Sequence, residues 1–267
     1  MRITNEQQHQ EDLQRIRGLR LIDDDFMTVC FENNIEGAQL LLNIILDRTD
    51  LTVTEVKVQK VIKNLQGRDV WLDILATDDA GAKYNFEVQR ADKGADRLRA
   101  RYHSSIMDSN MLKPGEDFTD LCESYVIFIT ENDVIGMNQP IYHIERHIIE
   151  CDNLPFNDGE HIIYVNGALK PSDTALGRLM SDFFCTDADD MNYTELSDRV
   201  RFYKETEEGV ETMCKAMDDM RNLAVERSRE ENALKMLALG KLSYEEIASC
   251  SGLPIEKVRE LAGEQTA

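Results

Sequence analysis

The chain has 267 residues, 42% hydrophobic and 30% charged, a balance that allows a substantial core and excludes fibrous and disordered classes. Its 51 acids against 30 bases leave a net charge of −21, which excludes bulk attraction to nucleic acid, because phosphate binding rests on Lys and Arg displacing counterions. Any contact with DNA must therefore be local or metal-assisted.

The opening segment has no apolar signal core, and no apolar run approaches the roughly 18 residues of a membrane span. A soluble cytoplasmic protein is expected, with no membrane partner. The six cysteines have no CxxC or Cys-x-His spacing, so neither a zinc site nor a disulfide framework is signalled, and reduced, mostly buried thiols are expected.

From Asp24 to Asp47, apolar residues recur at three- and four-residue steps through Met27, Phe31, Ile35, Leu41, Leu42 and Ile45. This predicts an amphipathic helix, or a helix pair broken near Asn33, Asn34 and Gly37, with Asp23 to Asp25 as a capping acid and negative first turn. LTVTEVKVQKVI alternates as a half-buried strand does. WLDILATDDAGAKYNFEVQR (71–90) then reads as a hairpin with DDAG as its turn. Lys93 to Leu112 reads as a helix stopped by Lys113-Pro114-Gly115, and SYVIFIT (124–130) as a buried strand added in parallel. IYHIERHIIE and HIIYVNG add two strands around a loop with Pro155 and Gly159. The expected core is a mixed α/β sheet with helices on its faces.

Beyond Asp173 the pattern is helical. An apolar stripe through Leu196, Val200, Tyr203, Val210, Met213, Met217, Met220 and Leu223 runs along a long acidic stretch, as core or as a self-association seam. At the end, Ser243 is a predicted N-cap, Ser251-Gly252 a turn and Pro254 the opening of a second short helix with Val258 and Leu261. This unit resembles a helix-turn-helix, yet from Glu230 onward it holds seven acids against four bases, which weighs against simple DNA reading. Three parts are expected: a core over 1–170, a helical extension over 171–230 and a small unit over 231–267.

The hairpin holds two acids among Trp, Leu, Ile, Tyr, Phe and Val. If it closes around 78–82, residues whose numbers sum to 160 are opposed, so Asp73 faces Glu87 and Trp71 faces Gln89 on one side. Opposed carboxylates, their Cβ atoms about 4.5–5.5 Å apart, destabilise a ladder unless something compensates. A divalent cation with hard oxygen ligands, Mg²⁺ or Mn²⁺, would do so. Other registers leave one acid merely solvated.

Asp73, a turn and then Glu87-Val88-Gln89 resembles the signature of the PD-(D/E)XK nuclease superfamily, whose core is a mixed sheet flanked by helices as in restriction endonucleases. Together with DDFMTVCF, LLNIIL, RARYHSSIMDSNMLKPGEDFTDL and SYVIFI, it is similar to the Rpn-type recombination-promoting nucleases, often labelled transposases, over about residues 20–170. The resemblance implies Mg²⁺- or Mn²⁺-dependent cleavage of a DNA phosphodiester. It implies that Asp73 and Glu87 bind the metal with the backbone carbonyl of Val88, and that Gln89 is catalytic. Gln89 departs from the superfamily Lys: an amide orients by hydrogen bonds but carries no charge. Asp24 matches an acid that the family's first helix adds to the site, and Glu36 is the second choice.

From Arg90 to Lys113 there are six bases and three acids. Arg97 and Arg101 share a face next to Tyr102, and Arg101 and Tyr102 are the expected substrate contacts. No GxSxG, P-loop, GxGxxG or HExxH occurs. The expected function is a metal-dependent DNA endonuclease that promotes recombination, with a homodimer in keeping with the Met-bearing helix. The alternative is a catalytically inactive nuclease fold used for binding or oligomerisation, with the two acids separated or capped by salt bridges.

Overall fold

The computed structural model describes residues 5–62, 69–90 and 92–263, with the backbone alone for 5–9, 92, 93 and 220; Met220 of the apolar stripe thus lies outside the described side chains. After α1 (Asn5–Gly18), the periodic stretch forms a helix pair, α2 (Asp24–Phe31) and α3 (Ile35–Ile45). The break falls where short polar residues tolerate it. Asn33 takes a positive φ of 53°, and Asn34 caps α3 by accepting the Gly37 N–H at 2.9 Å. Asp23 stands at the N-cap of α2 but caps no helical N–H. Its carboxylate instead accepts from the Arg20 backbone N–H at 2.8 Å and pairs with Arg90 at 2.9 Å.

A meander follows: β1 (Val53–Ile62), β2 (Val70–Asp78) and β3 (Lys83–Gln89). Asp78 holds the turn, accepting from the Ala82 N–H at 2.9 Å and the Tyr84 hydroxyl at 2.8 Å, while Gly81 takes a φ of 88°. A 3₁₀ turn (Asp92–Ala95) leads into α4 (Arg97–Ser109), capped by Asp96. The helix stops before Lys113-Pro114-Gly115, because the Asn110 side chain takes the Ile106 carbonyl at 2.8 Å and competes with continued winding.

β4 (Ser124–Thr130), buried at every residue, runs parallel to β3. β5 (Ile141–Ile144) and β8 (Glu160–Asn166) form an antiparallel pair, with β8 parallel to β4. The sheet order is β1-β2-β3-β4-β8-β5. IYHIERHIIE is not one strand. β6 (His147–Ile148) leaves the sheet to pair with β7 (Leu154–Pro155), the chain reversing through Asp152 and Asn153 at φ 54° and 58°. The result is a mixed α/β sheet flanked by helices, with α2 on β1 and β2, α3 on β1 and α4 on β4 and β8.

α5 (Ala175–Phe184), α6 (Thr194–Glu205), α7 (Glu207–Leu239), α8 (Tyr244–Ser251) and α9 (Ile255–Leu261) complete the chain. It divides into two compact units, 1–211 and 212–267. The second has its own small core of Ala233, Ile247 and Val258. Ser243 and Glu246 form a capping box, and Gly252 ends α8 at a φ of 72°. Lys257 of α9 is paired with Glu230 and Glu260, each at 3.3 Å. The expectation of mostly buried thiols fails: no disulfide joins the six cysteines, but only Cys30 is buried, and Cys151 and Cys250 are exposed. Among the described residues no helix is long and apolar enough to cross a membrane.

Candidate active site

The β2–β3 ladder runs in the register where residue numbers sum to 160, from Thr77 opposite Lys83 to Ile74 opposite Phe86, and ends there. It stops one residue short of Asp73 and Glu87, so the expected continuous ladder, with Trp71 across from Gln89, does not form. The reason lies in β2 itself. Leu75 and, beyond Asp73, Leu72 and Val70 all pack into the cluster beneath α4, so the strict alternation of a strand breaks at Asp73. On the other side, β1 keeps its register past this point while Gln59, the residue facing Asp73, takes a φ of 47°.

In place of ladder bonds, the two acids bridge the parting strands. Asp73 Oδ2 accepts the Val88 N–H at 3.2 Å, and the Asp73 N–H donates to Glu87 Oε1 at 3.4 Å. The N–H and C=O of one strand residue point the same way, so the Val88 carbonyl also looks into this gap.

Glu87 has no exposed surface. Its Oε1 accepts from Asn85 Nδ2 at 3.0 Å, and its Oε2 from Arg99 Nη2 at 2.8 Å. His103 Nδ1 lies 3.4 Å from Oε1. Arg99 Nε donates to His103 Nε2 at 3.3 Å and Nη1 to the Gly94 carbonyl at 3.1 Å. Nδ1 of this ring, buried and turned toward Glu87, makes no hydrogen bond among the described residues. Arg99 and His103 also line a cleft of ≈ 720 Å³ with Asp69, Val70, Trp71, Leu98 and Tyr102.

Gln89 shares the Glu87 face of β3 and lies against the 3₁₀ turn. A Cβ at Gly94 would fall 1.7 Å from Gln89 Oε1, so the Gln89 amide packs directly over the Gly94 Cα and would have to move for any larger residue. Tyr102 lines the cleft, whereas Arg101 is exposed on α4 outside its lining. Asp24 is exposed at the start of α2, yet its charge is felt at Asp73. Glu36 is elsewhere, in a separate cleft with Gln39, Leu40, Asn43, Thr194, Glu195 and Asp198.

Burial, then the charges of Glu87 and Asp24, push the Asp73 carboxyl well above the usual carboxylate range, against the opposing pull of Arg99. The site is short of positive charge. Asn85 Oδ1, buried beside Glu87, has no hydrogen-bond partner among the described residues. Among the described residues no three His, Cys, Asp or Glu side chains gather into a metal cage. Two hard-oxygen carboxylates with a net deficit of cation nonetheless fit a divalent ion of the Mg²⁺ type, which takes one or two carboxylates and completes its shell with water and phosphate.

A model of the PD-(D/E)XK nuclease family transposases matches residues 31–170. The chain belongs to this family. No curated protein and no solved structure matches it. The family match covers β1 to β8 and α4, and so contains Asp73, Glu87, Gln89, Arg99 and His103. Asp24, on α2, lies before it.

Sequence reasoning passed over Arg99, His103 and Asn85. A signal for the first two was present. Ala100, His103, Ile106 and Met107 are the buried stripe of α4, and Arg99, four residues before His103, sits at the rim of that stripe, turned toward the sheet. The face chosen instead, Arg97 and Arg101, is exposed.

Proposed function

We propose that this family member is a DNA endonuclease of the recombination-promoting, Rpn type, dependent on Mg²⁺ or Mn²⁺, with Asp73 and Glu87 as the metal-binding pair. The observation that supports it most is the meeting of these two acids at the point where β2 and β3 part, beside a cleft that shares Arg99 and His103 with Glu87. Asp73, Glu87 and the Val88 carbonyl would hold the ion. When bound, such an ion polarises a phosphoryl oxygen and lowers the pKa of a coordinated water.

The chain's own groups do the rest. Gln89, on the same face as Glu87, orients the attacking water by hydrogen bonding, since its amide can both donate and accept. Tyr102 and Trp71 line the cleft wall where DNA would lie. Asp24 adds negative charge that strengthens the hold on a cation. Arg101, exposed one turn beyond Arg97, would contact flanking phosphate. One site per chain cuts one strand, so a double-strand break takes two copies, and we propose a homodimer working in the cytoplasm.

The Arg99–Glu87 ion pair favours a second reading, in which the guanidinium has replaced the metal and the fold serves binding alone. Incubation with supercoiled plasmid and Mg²⁺ or Mn²⁺ separates the two. The endonuclease reading expects nicking by the wild type and a loss of at least a hundredfold in both Asp73→Ala and Glu87→Ala. Equal nicking by all three proteins, or none by the wild type together with no metal-dependent rise in thermal stability, would overturn it.

A further inference from the structure

We infer that Arg99 is the phosphate-binding cation of this site, supplying from α4 the positive charge that Gln89 does not carry on β3. The inference rests on the endonuclease reading above and deepens it.

A guanidinium has five N–H donors in a rigid plane. Arg99 spends three: Nε on His103, Nη1 on the Gly94 carbonyl and Nη2 on Glu87. One N–H remains on each terminal nitrogen, the pair that grips two phosphoryl oxygens at once. The side chain is 37% exposed and belongs to the cleft lining, so these donors are within reach of a ligand there. Its three anchors come from α4, the 3₁₀ turn and β3, which fixes the fork before any ligand arrives.

Neighbouring cations are differently placed. Arg90 is held between two carboxylates, Asp23 at 2.9 Å and Glu131 at 3.3 Å, and is already neutralised. Gln89 and Arg99 meet at one residue: Gly94 receives the Gln89 amide against its Cα and offers its carbonyl to Arg99. The charge missing from position 89 thus reaches the same glycine from α4, still bonded to Glu87.

The test needs no metal. Full-length wild type and Arg99→Gln are titrated with a fluorescein-labelled DNA duplex in EDTA across a range of salt, after thermal melts show both to be folded. Loss of one phosphate contact lowers the slope of log affinity against log salt by about 0.9 for duplex DNA, with roughly tenfold weaker binding at low salt. Arg99→Lys is expected to restore the slope, because the charge returns, but not the plasmid cleavage rate, because a point charge lacks the fork.

Equal slopes and affinities for wild type and Arg99→Gln would make Arg99 a structural counter-ion and overturn the inference. If Arg99→Gln does not fold, Glu87→Gln/Arg99→Gln is compared with Glu87→Gln, where no buried acid is stranded, and equal slopes there have the same force. A reduced slope without plasmid cleavage by the wild type would keep the phosphate contact and sink the endonuclease reading. Cleavage with an unchanged slope would do the reverse.

Discussion

Two buried acidic sites in this fold behave in opposite ways. Asp182, near the end of α5, has no exposed surface and accepts three hydrogen bonds from neutral donors: the Asn192 N–H at 2.8 Å, Asn192 Nδ2 at 2.7 Å and the Tyr193 N–H at 2.9 Å. It ties α5 to the start of α6 and, among the described residues, pairs with no other charge. At the parting of β2 and β3, Asp73 receives one backbone N–H, lies against Glu87 under the added charge of Asp24, and is pushed toward its neutral form. Burial of an acid alone therefore says little about function. What distinguishes a site is burial without enough donors, beside a cleft where a ligand can complete the set.

The contrast predicts opposite mutational signs. Asp182→Ala strands several buried donors and should cost about 3 kcal/mol in denaturant unfolding, while the cleavage rate per folded molecule stays unchanged. A variant as stable as the wild type would dissolve the structural half of the comparison.

Asp73→Asn should abolish cleavage and yet, in EDTA at neutral pH, unfold with equal or greater stability, by about 1 kcal/mol. Its pH dependence follows from linkage. The folded-state pKa lies above the unfolded value of 3.8, so between the two the folded chain binds more protons, and wild-type stability falls as pH rises through that interval. The variant lacks this loss. The gap in its favour should open above about pH 4 and level off beyond the folded pKa, and Mg²⁺ should stabilise the wild type alone. Parallel pH profiles would show that Asp73 is as well satisfied as Asp182.

The smallest effect is expected in the C-terminal unit. Lys257 is the mirror image of Arg99: a cation whose exposed pairings with Glu230 and Glu260 leave it neutralised. Lys257→Gln should change stability by no more than about 0.5 kcal/mol and leave the salt slope of DNA binding where it was. A fall in slope as large as that of Arg99→Gln would assign DNA contact to α9 as well.

Much of the fold was legible because its determinants are local. Asn33 and Asn34 broke the helix pair, DDAG closed the hairpin in the register that sums to 160, and Ser243 and Gly252 bounded α8, each by a short-range backbone preference. The exit of His147–Ile148 into a separate ribbon was hidden, since no Gly or Pro interrupts IYHIERHIIE and the turn that pairs β6 with β7, at Asp152 and Asn153, lies beyond it.

Sequence by itself determined which two acids stand at equivalent places on paired strands, because strand periodicity is a property of the chain. Tertiary structure decided how far that pairing continues, and which side chains answer the acids. Arg99 and His103 reach Glu87 from a helix 12 and 16 residues further on, and their contact depends on how α4 lies across the sheet. No local preference encodes that angle; it is set by the packing of Ala100, Ile106 and Met107 against Val126 and Phe128.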